Sequence, residues 1–227
     1  MAKPKKSRKE LLKGPDEFLS LSGRIAEYVA AHLKGLKMIG TAIVVIVLLY
    51  LGMNTYLNFI NKKGQESLNA AFKSLSRVDI SKADPDKFKE AEELFMKVVD
   101  EHGFSKAAKL ALPQIAFIRY LNHKYDDAIT YYSKFLDEVE GEPQYESLAR
   151  LGLAACYEAK GDFKSAIEAL NPVVNSSDEI FGETAMFNIA RLYRLDNNPE
   201  KARSILEAFV KKYENSPYLP LVKAQIS

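Results

Sequence analysis

One cysteine and three histidines among 227 residues leave little for covalent or metal chemistry. A lone cysteine excludes an internal disulfide and any metal site built on several thiolates. Cys156 falls in Leu153-Ala154-Ala155-Cys156-Tyr157, where a helix wants a small core residue. His32, His102 and His123 have no second ligand at metal-binding spacing, and none pairs with a glutamate as a helix-borne zinc site requires. The chain also lacks a glycine-rich phosphate loop and a Gly-x-Ser-x-Gly elbow. The acidic pair Asp126-Asp127 sits in a polar break, where a solvated helix cap is its expected role. The net charge is only +2, and beyond residue 37 the basic residues are interleaved with Asp and Glu, so nucleic acid is not an expected partner. These absences predict a protein with no catalytic residue, metal, cofactor or small-molecule substrate, and so not an enzyme.

What the chain does have is repetition. Segments 109–142, 147–179 and 183–217 place a small residue three positions before a larger one, as Ala116/Arg119, Ala154/Tyr157 and Ala190/Tyr193. Twelve residues after each small position comes another alanine, at Ala128, Ala166 and Ala202. Tyr132, Leu170 or Leu206 follows, and then Phe135, Val173 or Phe209. The later alanines are 38 and 36 residues apart, a period that belongs to stacked helix pairs. The cause is steric: two antiparallel helices approach closely only over small side chains, and the larger ones fill the adjoining grooves. Polar breaks at 122–126, 160–163 and 196–200 separate the helices. Gly161 is suited to a left-handed helix end, while Asn198 before Pro199 reads as a helix start with a capping oxygen.

A partial unit precedes these. Asp84-Pro85-Asp86 opens a helix that places Phe88, Ala91, Phe95 and Val98 at second-helix positions. Its first helix is expected over 65–77, with Leu68, Ala71, Phe72 and Leu75 on one face. A degenerate unit suits the end of an array, where one face has no neighbour.

On these positions the chain resembles the tetratricopeptide repeat family. It departs from the pattern at Arg119, where the family has tyrosine, and only Pro217 supplies a late proline. The resemblance implies an all-α solenoid of about three full repeats plus a partial one, built for binding proteins. In the resembled family the concave face is lined by first helices, and its groove positions map onto Phe117 and Tyr120, then Leu151, Ala155 and Glu158, then Phe187, Arg191 and Arg194. Arg191 and Arg194 would present paired positive charge beside Phe187. The Lys/Asn clamp with which some members hold a C-terminal carboxylate is missing, because Phe117 and Ala155 occupy positions where asparagine is needed.

Residues 38–61 carry no charge. As a helix these 24 residues reach about 36 Å, enough for a hydrocarbon core of roughly 30 Å with some tilt. Tyr50, Tyr56 and Phe59 suit an interfacial belt, with Lys62 and Lys63 beyond it. The apolar run is too long, and begins too late, for a cleaved signal peptide. Nine basic residues precede it (Lys3, Lys5, Lys6, Arg8, Lys9, Lys13, Arg24, Lys34 and Lys37), against Glu10, Asp16, Glu17 and Glu27. This asymmetry keeps the leading side cytoplasmic and predicts contact with anionic headgroups. Residues 15–35 read as an amphipathic helix, with Leu19, Ser22, Ala26, Val29, Ala30 and Leu33 at helical spacing. It is suited to the cytoplasmic membrane face or to a partner.

The sequence therefore divides into a basic cytoplasmic segment (1–37), a transmembrane helix (38–61) and a repeat domain (62–227). That layout is similar to the YfgM-like ancillary subunits of the bacterial Sec translocon. The resemblance implies an inner-membrane, single-pass protein with its repeats in the periplasm, partnered by the translocon and periplasmic chaperones. Two other readings share the layout in part. One is a scaffold of another envelope machine, serving cell division, pilus or outer-membrane assembly. The other is an import-receptor-like protein with cytosolic repeats, which requires the opposite orientation.

Overall fold

The computed structural model describes residues 17–78, 85–176 and 179–226. The basic cluster from Lys3 to Lys13, the side chains of Leu19 and Ser22, and Asp84 lie outside the described residues. Ten helices and no strand occur among the described residues. They fall into two compact units, 1–56 and 57–227, divided inside the second helix.

The first unit holds α1 (Glu17–Ala31) and the leading part of α2 (Leu33–Leu75). The two helices are separated by a turn at His32, whose ring stacks on Tyr28 at 4.3 Å. On α1, Ala26, Val29 and Ala30 are all exposed, so no described residue covers this part of the apolar face. α2 is a helix long and apolar enough to cross a membrane, and its apolar window is unburied. The separate helix expected over 65–77 does not exist as such; it is the end of α2. Asn61-Lys62-Lys63-Gly64 changes the polarity of the chain without breaking the backbone, since lysine and asparagine both propagate a helix. Gly64 serves close approach instead. A Cβ there would stand 2.6 Å from Ser105 Oγ.

The second unit stacks the rest of α2 and α3 (Pro85–Glu101) with three helix pairs. These are α4 (Lys106–Leu121) with α5 (Tyr125–Glu138), α6 (Pro143–Ala159) with α7 (Phe163–Val174), and α8 (Glu179–Leu195) with α9 (Pro199–Lys212). Every repeat alanine named above is buried: Ala91, Ala116, Ala128, Ala154, Ala166, Ala190 and Ala202. Phe88, Phe95, Phe135 and Phe209 are sealed beside them, each worth about 1.5–3 kcal/mol of burial. Phe72 remains part-exposed but meets the edge of Phe95 at 5.2 Å.

The three turns inside the helix pairs are one structure repeated. His123, Gly161 and Asn197 all have positive φ, at 59°, 78° and 54°. In each, the next residue's amide reaches back five positions, from Lys124 to Arg119, Asp162 to Tyr157 and Asn198 to Tyr193, at 2.8–2.9 Å. The left-handed residue itself bonds three positions back. This is the Schellman arrangement, which satisfies the last carbonyls of the first helix and turns the chain. Histidine and asparagine tolerate the left-handed region where other side chains do not. The expected capping oxygen of Asn198 is not used, because its side chain makes no cap hydrogen bond, whereas Asp162 accepts from the Ser165 amide at 3.0 Å. The Ser165 bonds, side chain and then backbone, hold the Asp162 carboxyl below its ordinary pKa.

A further helix of the second unit, α10 (Leu219–Ile226), was not expected from the sequence. Val222 is buried, and Leu219 and Ile226 pack on Met186, Ala190, Leu206 and Phe209. α10 packs on α9 and on Met186 and Ala190 of α8.

Candidate protein-binding surface

The first helices lie side by side, α4 against α6 and α6 against α8. Their common surface carries the groove positions. Phe117 and Tyr120 are half-buried on α4, and Tyr120 leans on Tyr125 with ring centroids 5.7 Å apart. Burial, then the neighbouring Tyr125, pushes the Tyr120 hydroxyl pKa up. Leu151, Ala155 and Glu158 on α6 face Asn188 and Arg191 on α8 around one shallow depression.

Arg191 is not a free charge. It grips the Glu158 carboxylate with both guanidinium nitrogens, and its Nη2 also donates to Asn188 Oδ1 at 3.1 Å. The Glu158 hydrogen bond raises the Arg191 pKa further. Arg194 donates to Gln225 of α10, from Nη1 to Oε1 at 2.6 Å and from Nη2 to the backbone carbonyl at 3.1 Å. Phe187 lies under Tyr218, stacked at 6.4 Å. The paired positive charge expected beside Phe187 is therefore two separate contacts. Arg191 ties α6 to α8, and Arg194 ties α8 to the terminal helix. Sequence reasoning missed Asn188, Tyr218 and Gln225; only Asn188, three residues before Arg191 on the same helix, left a readable signal.

The Arg191–Glu158 pair is part-exposed, with side-chain exposures of 42% and 28%. Pairs of this kind stabilise by about 0.2–1 kcal/mol. Arg191→Ala is expected to lower the unfolding free energy, read from denaturant titration, by no more than about 1 kcal/mol; a larger loss would make the pair part of the fold rather than of the surface.

No chemistry converges here. Among the described residues no group of three His, Cys, Asp or Glu side chains is placed to hold a metal ion. His102 Nε2 lies 3.1 Å from Ser67 Oγ, and His123 Nδ1 lies 2.8 Å from the Tyr125 hydroxyl. Cys156 is buried, and burial pushes its thiol up to about 11, so it is a poor nucleophile at neutral pH.

The surface is that of a helical-repeat binding scaffold. The tetratricopeptide repeat-like domain model matches residues 35–179, and a tetratricopeptide repeat model matches 184–216. The chain belongs to the tetratricopeptide repeat-like domain family, whose matched region takes in most of the apolar helix as well as the repeats. Among solved structures it is similar to nearly identical TPR-like repeats of a kinesin-light-chain-like chain from Podosopora anserina. The TM-score is 0.55 at 16% identity, over 71% of this chain and 82% of that one. A point variant of the same repeats gives the same values. At this identity the likeness establishes the fold alone. No curated protein matches the chain.

Proposed function

We propose that this protein is a membrane-anchored protein–protein interaction module. Its repeat domain faces the periplasm of a bacterium, where it serves as an ancillary factor of the Sec translocon and its chaperones. One observation supports this most: a single chain joins a helix long and apolar enough to cross a membrane to a repeat stack whose first helices share an open surface. The basic residues before the span favour a cytoplasmic leading segment. In this reading partners lie along Phe117, Tyr120 and Leu151, with Phe187 and the Glu158–Arg191 and Arg194 contacts bordering them. Newly exported chains offer apolar segments of the kind such a surface accepts.

A reporter active only in the periplasm is expected to work when fused after Ser227 and to fail when fused before Pro15; the reverse result would favour cytosolic repeats. A photo-crosslinking side chain at Leu151 of the full chain, in native membranes, is expected to capture translocon subunits or periplasmic chaperones. Capture of division, pilus or outer-membrane assembly proteins instead would move the protein to that envelope machine.

A further inference from the structure

The most exposed large apolar side chain among the described residues lies on the repeat domain. Phe104, in the loop between α3 and α4, is 89% exposed. A free aromatic ring in water has no role in the fold. Its loop, however, is fastened to one place on α2. The Lys106 amide donates to Asn61 Oδ1 at 2.9 Å, Ser67 Oγ and His102 Nε2 lie 3.1 Å apart, and Ser105 packs where Gly64 leaves room for it. Asn61 is the last residue of the uncharged run, and residues 57–61 belong to the same compact unit as the repeats.

We infer that Phe104 is an interfacial lipid anchor, inserting among the headgroups and upper acyl chains where the span leaves the bilayer. The inference rests on the membrane-anchored reading above. Phe59, 60% exposed, precedes the attachment point on α2, and Lys62, Lys63 and Lys106 surround it, all exposed. An aromatic ring flanked by lysines is the composition that membrane–water interfaces favour. Lysine stems lie along apolar surface while their ammonium groups reach phosphate. These two hydrogen bonds and the Ser105–Gly64 contact hold the loop along residues 61–67 of α2, the first turns beyond the uncharged run, so the ring is carried beside the point where the span ends. Together with the span it gives the repeat domain a second membrane contact, which restrains rotation about the anchor.

The chain has no tryptophan, so single tryptophans report position without background. Phe104→Trp, Phe59→Trp and Tyr218→Trp variants of the full chain would be reconstituted separately. The vesicles would be phosphatidylethanolamine and phosphatidylglycerol, with and without lipid brominated near the headgroup. The Phe104→Trp variant is expected to emit at shorter wavelength than Tyr218→Trp, and to be quenched by the brominated lipid several times more strongly. Quenching of Phe59→Trp without quenching of Phe104→Trp would overturn the inference and leave the anchor standing. No quenching of Phe59→Trp would overturn the membrane reading and the inference with it. If Phe104→Trp disturbs the loop, Lys106→Trp on the same attachment gives the same reading.

Discussion

Replacing Arg119 by alanine is expected to lower the stability of the repeat domain by about 3 kcal/mol, the loss characteristic of breaking a buried ion pair. Arg119 Nε lies 2.5 Å from Glu92 Oε1, and the two side chains are only 19% and 12% exposed. Its Nη1 also reaches Asp127 Oδ2 at 3.3 Å, so one guanidinium joins α3, α4 and α5. Removing it takes away the cation that meets the Glu92 carboxylate, which is largely shielded from water. Asp127, 55% exposed, is solvated and loses little. The expected value lies at the low end of the usual 3–5 kcal/mol because that outer arm remains wet. Tyrosine belongs at this position in the family pattern, so the double change Arg119→Tyr with Glu92→Leu is expected to recover most of the loss; exchanging both charges for apolar groups is often neutral. Urea unfolding of the full chain in detergent, followed by near-ultraviolet circular dichroism, measures both. A loss for Arg119→Ala within about 0.5 kcal/mol would show the pair to be solvated and irrelevant to the core.

The same residue shows what a sequence reveals and what it hides. The repeat alanines were legible because the constraint on them is local and absolute: a larger side chain there separates two backbones. All seven are indeed buried. Arg119 broke the size pattern, and its partner Glu92 lies 27 positions away on an element with no fixed offset to it. The turns were legible at Gly161, whose lack of a Cβ marks it. At 122–126 and 196–200 the breaks were legible too, but not which residue turns left-handed, since His123 and Asn197 adopt the same φ with ordinary side chains. α10 was hidden because only Val222 of its residues is buried, too few to generate a period. The continuity of α2 was hidden because a change of polarity at Lys62 looks like an end, though helix hydrogen bonds are indifferent to it. At the candidate surface, the positions of Leu151, Glu158 and Arg191 followed from the repeat register. Their mutual pairing did not, since side-chain partners across neighbouring helices depend on rotamers that no spacing encodes.

The largest packing effect is expected at Gly152, inside α6. A Cβ at this position would lie 2.5 and 2.7 Å from Cε1 and Cε2 of Tyr132, closer than carbon atoms approach. The Tyr132 ring is buried, so it cannot swing into water without opening the α5–α6 contact. One helix pair further along, the same two positions hold Leu170 and Asn188, which line a common depression. The protein thus uses a large residue over glycine in one repeat and two of medium size in the next. Gly152→Asn is accordingly expected to destabilise the domain by about 1–3 kcal/mol through overpacking. The better helix propensity of asparagine returns only a few tenths of a kcal/mol, so packing decides the sign. Adding Tyr132→Leu recreates the neighbouring repeat and is expected to restore most of the midpoint. Tyr132→Leu alone leaves a void over Gly152 and is expected to cost stability by itself. The two changes must therefore be strongly non-additive in a double-mutant cycle. Simple additivity would mean that the ring and the glycine do not share the space the structure assigns to them, and that the equivalence of the two repeats at this layer is wrong.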